Sequence, residues 1–409
     1  MNTSGGVLAR EIDPGPWIRW AREHPSTLIL AAGAMLRVLL YASNREPWMD
    51  EGSLLGNIVG KGVLDFSERL SSEQLAPVGF LIVERAISQV LGGHLLALRL
   101  LPLACGLASL PLFRSLATRW LSPRAALLAM MLFAFSSDLV YYSSELKPYM
   151  GDVAVGLAAL VTASACLERP RRPGALARFA AIAAASPWFS FPSVFVVAAG
   201  GAVLLADAAR RRDARDIGRL AAIAVSWGIG VLGTRAYAQV MLGTTNGMYV
   251  FWNFAFPPLL PLNRPEFGKL TGIVLEVLVN PLDLVAPGLP AAFVALPVVL
   301  LVLGSVSLAR RERWGFALLA LPVVFSYLAA ALRIYPFHGR LILGLTPGLY
   351  LVIAEGVAAI GRRLGRHAAW VVAAALLVFP VYSSILQATG NDPRDFNAHG
   401  DLHRNRFMD

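Results

Sequence analysis

Apolar runs of roughly 17–25 residues recur along the whole chain, with short arginine clusters between them. They lie near 27–43, 97–117, 122–142, 148–167, 175–189, 192–209, 218–242, 288–309, 315–333, 341–360 and 368–388. A soluble domain typically carries about 25% charged residues. This chain of 409 residues carries 15%, against 56% hydrophobic. In lipid every backbone polar group must be satisfied internally, which leaves helices as the solution for runs of this length. The pattern predicts an all-α polytopic membrane protein with about eleven transmembrane helices.

The arginines set its orientation. "RPRRP" (169–173), "RRRDAR" (210–215), "RRER" (310–313) and "GRRLGR" (361–366) separate apolar runs, as cytoplasmic loops do under the positive-inside rule. Placing the N-terminus inside puts all four clusters on the cytoplasmic face of a cell membrane and the C-terminus outside. This distribution, rather than a single basic surface, assigns the net charge of +10 to topology and anionic membrane lipid, and excludes a nucleic-acid partner. The first 26 residues are polar, with Arg10, Arg19 and Arg22, so no cleavable signal peptide is expected. Cys105 and Cys166 fall within apolar runs and read as small core residues without a disulfide role.

Residues 77–92, "PVGFLIVERAISQVLG", are apolar but short and carry Glu84-Arg85 at the middle. Counting them as a span would strand charge at the bilayer centre, at a cost of several kcal/mol, and would invert every later arginine cluster. They are therefore expected at the outer interface, within a long extracytoplasmic loop over 44–96. The stretch 54–70 of that loop has an interfacial-helix pattern. A second large outward loop covers 243–287. Residues 1–390 form one transmembrane domain on this reading, followed by a polar outward tail over 391–409.

The chain's three lysines, Lys61, Lys147 and Lys269, all fall outside under this topology, and so do most candidate polar groups. "EPWMDEGSLLG" places Asp50 and Glu51 just beyond the first span. Adjacent carboxylates there suit loop solvation, metal ligation or general base chemistry, and Asp50 also suits the N-cap of a helix starting near Glu51. In "SSELKPYMGD", Glu145 and Lys147 precede Pro148, which suits a first helical turn, with Tyr149 beside it. Asp152 then lies one turn into a span and must face protein or a wet cavity, not lipid; an interfacial Glu/Lys pair with a satisfied aspartate is the simpler alternative. Asp138 lies near the same face. The aromatic stretch "MYVFWNFAFPP", with Trp252, fits an interfacial belt or a lid stacking on sugar or isoprenoid. "RIYPFHGR" supplies Arg333, His338 and Arg340; His338 fits a second base, a phosphate donor or a solvated turn residue. Arg37 and Arg235 lie deeper in spans, able to snorkel or pair. His399 and His403 of the tail have i, i+4 spacing around Asp401, usable for metal only on a helix.

In order and spacing, "DEG" after the first span, "ELKPYMGD" at a span's outer end and "YPFHGRLILGLTP" resemble the GT-C glycosyltransferases over roughly residues 27–360. The likeness is to the bacterial family-39-like (RgtA/B/C/D-like) branch, related to protein O-mannosyltransferases and the lipid A aminoarabinose transferase. Two departures stand out: no soluble C-terminal domain is evident, and "SSD" (136–138) replaces an expected proline-containing turn. The resemblance implies inverting transfer of a sugar from a polyprenyl-phosphate donor to a glycan, lipid or protein acceptor. It casts Asp50 as general base, Glu51 as loop support, and Lys147 and Arg340 as the phosphate's cations, with Glu145 and Tyr149 orienting the lysine or touching the sugar. It implies no cofactor, with a divalent metal as the less favoured option. The rival expectation is a transporter or flippase of lipid-linked sugars, which should show internal repeats and midplane charges; no repeat is evident.

Overall fold

The computed structural model of the protein describes residues 23–168, 174–243, 247–286 and 291–389. The arginine cluster at 169–173 and the tail with His399, Asp401 and His403 lie outside those residues. The described part is helical, with nine helices long and apolar enough to cross a membrane. Two of the eleven expected spans fall short of that length: α1 (Pro123–Ala134) has 12 residues, ending well before the expected 142, and α2 (Ala175–Phe189) has the 15 that the sequence predicts. This is a multi-pass membrane protein.

The helix Tyr149–Leu167 is central. It packs against Leu100–Trp120, α2 and Ser193–Arg210, and its Val153, Leu157, Ala159 and Ala163 are buried in the main apolar core. Ala291–Arg311 packs closely along Thr346–Leu364. Glycines make that approach possible: a Cβ on Gly304 would collide with the Val352 carbonyl, and one on Gly356 with the Leu300 carbonyl. Between apolar helices in lipid, small residues that let backbones approach are a main source of association.

The expected span 122–142 is broken. α1 stops at Ala134, and a separate short helix runs from Ser137 to Tyr142. Ser136 caps the second helix by accepting from the Leu139 N–H at 3.4 Å, while the Ser137 N–H and hydroxyl donate to Asp283 at 3.0 and 2.6 Å. The break leaves helix-end carbonyls needing donors, and Arg37 supplies them. Its fully buried guanidinium donates to Ala134 O at 3.0 Å, Phe133 O at 3.3 Å and Gly33 O at 2.8 Å. Arg37 is thus paired inside the bundle, whereas Arg235 is exposed.

Both long loops are structured. In the first, Met49–Gly60 and Val78–Leu91 form helices joined by two short 3-10 turns. The first of these begins earlier than the interfacial pattern over 54–70 predicts. Val78–Leu91, at 14 residues, is too short to span. Arg85 donates to the Ile58 and Val59 carbonyls at 3.2 and 2.9 Å, clamping one helix end to the other helix. The second loop contains a 16-residue helix, Arg264–Val279, that hydropathy alone does not reveal. Asn263 accepts from the Glu266 N–H at 2.9 Å, and Glu266 reaches back to the Leu262 N–H at 2.8 Å. Such reciprocal capping, Asn-x-x-Glu in sequence, is a legible helix start.

Candidate active site

Asp50 and Glu51 both lie in the first turn of Met49–Gly60. Neighbours on a helix point about 100° apart, so the pair divides. Glu51 turns inward and is fully buried; Asp50 turns toward a cavity. Arg99 grips Glu51 with two bonds, Nε to Oε1 and Nη2 to Oε2, each at 2.7 Å. The Leu146 N–H donates to Oε1 at 2.8 Å, and Arg45 stands 3.7 Å from Oε2. Glu51 therefore fixes the first loop onto the "SSELKPY" segment through Arg99 and the Leu146 N–H.

That segment presents Lys147 immediately before the helix Tyr149–Leu167. Arg340 arrives from a 3-10 turn over Gly339–Leu345, and its Nη2 meets Asp50 Oδ2 at 2.6 Å. The same guanidinium lies 5.5 Å from the centre of the Tyr149 ring, within cation–π range. Lys147 does not pair directly with Asp50. Its ammonium donates to Gln74 Oε1 at 2.6 Å, and the Gln74 amide nitrogen donates to Asp50 Oδ1 at 3.4 Å.

These groups line one cavity of about 370 Å³, with Tyr149, Asp152, Trp252 and Tyr335 also in its wall. Its size falls in the range of small-molecule sites, roughly 300–1,000 Å³. Asp152 is buried, with Oδ1 unpartnered. Tyr249, Phe251 and Phe256 join Trp252 along one side, so the aromatic stretch faces the cavity in part. The exposed flanks of Phe251 and Phe254 leave a belt role open to those rings as well.

The electrostatics follow from this crowding. Burial alone would push the Asp50 carboxyl up, but Lys147, Arg340 and the hydrogen bonds from Arg340 and Gln74 outweigh it and hold Asp50 below its ordinary value. Burial lowers Lys147, opposed by Asp50 and Glu145. Glu145, buried behind the cavity, is raised chiefly by burial. His338 is pushed down to about 4 by burial and by Arg340. Its ring sits 5.0 Å from that of Phe254 and 6.0 Å from that of Trp252, a buttress behind the cavity wall and not a solvated turn residue.

Of the ten residues singled out in the sequence, Asp50, Lys147, Tyr149, Asp152, Trp252 and Arg340 line the cavity. Glu51, Glu145 and His338 stand behind it. Arg333 is exposed, at positive φ, outside the lining and near Lys269. Gln74, Tyr335 and Arg99 were not foreseen. Gln74 sits in the polar turn "SSEQ", whose sequence marks only a loop. Among the described residues no three His, Cys, Asp or Glu side chains gather in a group able to hold a metal ion.

No family model matches the sequence, and no curated protein matches it. Solved structures do match in fold. The archaeal oligosaccharyltransferase AglB from Archaeoglobus fulgidus, in complex with an inhibitory peptide and a dolichol-phosphate, superposes with a TM-score of 0.52 at 13% identity, over 91% of this chain and 56% of that one. The apo form of the Archaeoglobus fulgidus oligosaccharyltransferase gives 0.55 at 11%, over 90% and 56%. ArnT from Cupriavidus metallidurans bound to undecaprenyl phosphate gives 0.52 at 15%, over 81% and 60%. The chain has the GT-C fold. It spans a little over half the length of these neighbours. Within the GT-C fold, the cavity opens at the end of the bundle that carries both long loops, and those loops supply Asp50, Gln74 and Trp252 to its wall.

Proposed function

We propose that this protein is a membrane glycosyltransferase moving a sugar from a polyprenyl-phosphate donor to an acceptor hydroxyl. The observation that carries the reading is the meeting of Asp50, Lys147 and Arg340, from three distant segments, in the wall of one cavity. Neighbours of the same fold were solved with dolichol-phosphate and undecaprenyl phosphate bound, which supports a donor of that class. The arginine clusters, read by the positive-inside rule, support a cavity at the extracytoplasmic face of the cytoplasmic membrane.

The chemistry needs one base and a cationic cradle. As the acceptor oxygen attacks the anomeric carbon from the face opposite the phosphate, its proton passes to Asp50. The bond between the anomeric carbon and the phosphate oxygen breaks, and its electron pair leaves with the polyprenyl phosphate. That leaving group is an anion and needs no proton; Lys147 and Arg340 stabilise its growing charge, Arg340 as a fork and Lys147 as a point charge. Attack from the opposite face inverts the anomeric centre. Arg340 is engaged by Asp50, so the donor phosphate must draw it away before the carboxylate gains its full basicity.

The test is mass spectrometry of envelope glycolipids, glycans and glycoproteins in a strain lacking the protein. A sugar that disappears and returns on complementation supports the transferase. An unchanged set of glycans, with lipid-linked sugars accumulating on one leaflet, sinks it in favour of transport.

A further inference from the structure

Gln74 stands between the two opposite charges that the proposed transfer needs apart. Its amide is oriented by the network, nitrogen toward Asp50 and oxygen toward Lys147, because the reverse would set donor against ammonium and acceptor against carboxylate. An amide is suited to this place. A carboxylate there would bind Lys147 strongly and repel Asp50; a cation would pair with Asp50. The neutral bridge satisfies one of the three N–H donors of Lys147.

The backbone beneath Gln74 is unusual. Ser72 and Glu73 are consecutive non-glycine residues at φ 57° and 52°, a left-handed conformation that costs of order 1–3 kcal/mol per residue and persists only when its surroundings impose it. Asn57, 2% exposed, imposes it here. Its Oδ1 accepts from the Ser71 N–H at 2.9 Å and from the Ser71 hydroxyl at 3.1 Å, and its Nδ2 donates to Ser71 O at 3.3 Å. The Gln74 nitrogen also donates to Ser72 O at 3.3 Å. A strained turn, clamped from behind, delivers one side chain to one place in the cavity wall.

We propose that Gln74 is a positioning residue of the transfer site: its amide keeps the Lys147 ammonium off the Asp50 carboxylate, leaving the first for the donor phosphate and the second for the acceptor proton. This rests on the transferase reading of Asp50 and Lys147. Without the amide, two opposite charges in a partly desolvated wall collapse into a direct ion pair, and both functions suffer together.

The experiment is a binding cycle on the purified full-length protein, with undecaprenyl phosphate as probe and native mass spectrometry as readout. Wild type, Gln74→Leu, Asp50→Asn and the double variant are compared, with Gln74→Met replacing Gln74→Leu should that variant not fold. With Asp50 present, loss of the amide weakens binding about tenfold, the scale of one hydrogen bond to a charged group. With Asp50→Asn no carboxylate captures Lys147, and the same substitution changes affinity less than about twofold. Equal weakening in both backgrounds, or none in either, overturns the proposal. If wild type does not bind the probe, or binds it no better than Lys147→Ala, the transferase assignment of Lys147 fails. The structure of Gln74→Leu then decides the positioning claim: Lys147 within about 4 Å of the Asp50 carboxylate upholds it, and continued separation overturns it.

Discussion

Arg99 and Glu51, both fully buried, form a two-bond ion pair with each contact at 2.7 Å. The pair lies behind the cavity and joins the first loop to the start of a spanning helix. Removing one partner strands a buried charge, which costs about 3–5 kcal/mol. Glu51→Gln should therefore lower the thermal unfolding temperature in detergent markedly, and changing both residues to methionine should recover much of the loss. Asp50→Asn, at a partly exposed site, should leave that temperature nearly unchanged.

The proposed exchange of Arg340 between Asp50 and the donor predicts a split in the pH profile. Lys147, Arg340 and Gln74 hold Asp50 below its ordinary value, so the acid limb of kcat/KM should lie below the ordinary aspartate range. Once donor phosphate draws Arg340 away, the carboxyl loses part of that stabilisation and its pKa rises. The acid limb of kcat should lie at higher pH than that of kcat/KM. Arg340→Ala should bring the two limbs together.

Arg333 and Arg340, the two arginines of "RIYPFHGR", should separate in their effect on binding. If Arg340 and Lys147 hold the donor phosphate as proposed, Arg340→Ala and Lys147→Ala should each weaken undecaprenyl phosphate binding about tenfold. Arg333→Ala, exposed and outside the cavity lining, should alter it less than about twofold. A lipid-binding titration on the three variants checks the order.

Glu84 gives a stability prediction away from the site. Its carboxyl is fully buried with neither oxygen hydrogen-bonded, and burial raises it from 4.5 to about 9. The folded state then binds the proton more tightly than the unfolded chain, so its contribution is complete below pH 4.5 and is lost as pH rises toward 9. Glu84→Gln should flatten the fall in unfolding temperature across that window and leave the protein more stable than wild type near pH 9.

The crossing at Gly304 and Gly356 should tolerate no added bulk. Either glycine changed to leucine forces the two helices apart and should lower the unfolding temperature in detergent, whereas Gly201→Ala, where a Cβ meets open space, should not.

Much of this architecture is legible in sequence because lipid enforces a simple rule: long apolar runs become helices. What hydropathy misses, it misses for identifiable reasons. The break after Ala134 falls inside a run long enough to read as one span, where only the three polar residues "SSD" (136–138) mark it, and tertiary partners complete it: Asp283 takes Ser137, and Arg37 takes the freed carbonyls. The helix Arg264–Val279 is announced by a capping box, a local signal that a hydropathy window averages away. At the site, Asp50, Lys147 and Arg340 are readable as rare charges beside apolar runs. Gln74 is not, because a neutral amide in a polar turn carries meaning only through the two charges it separates in space. Arg333 misleads for the opposite reason: sequence proximity to Arg340 says nothing of which way a turn aims its side chains.

The most direct measurement is transfer itself, with Asp50 as the variable. A strain lacking the protein is complemented with wild type, Asp50→Asn or Gly201→Ala, each at equal membrane abundance, and its envelope glycans are weighed by mass spectrometry. A missing sugar is expected, restored by wild type and by Gly201→Ala but not by Asp50→Asn, even though Asp50→Asn still binds undecaprenyl phosphate. Full restoration by Asp50→Asn would contradict the assignment of Asp50 as the base.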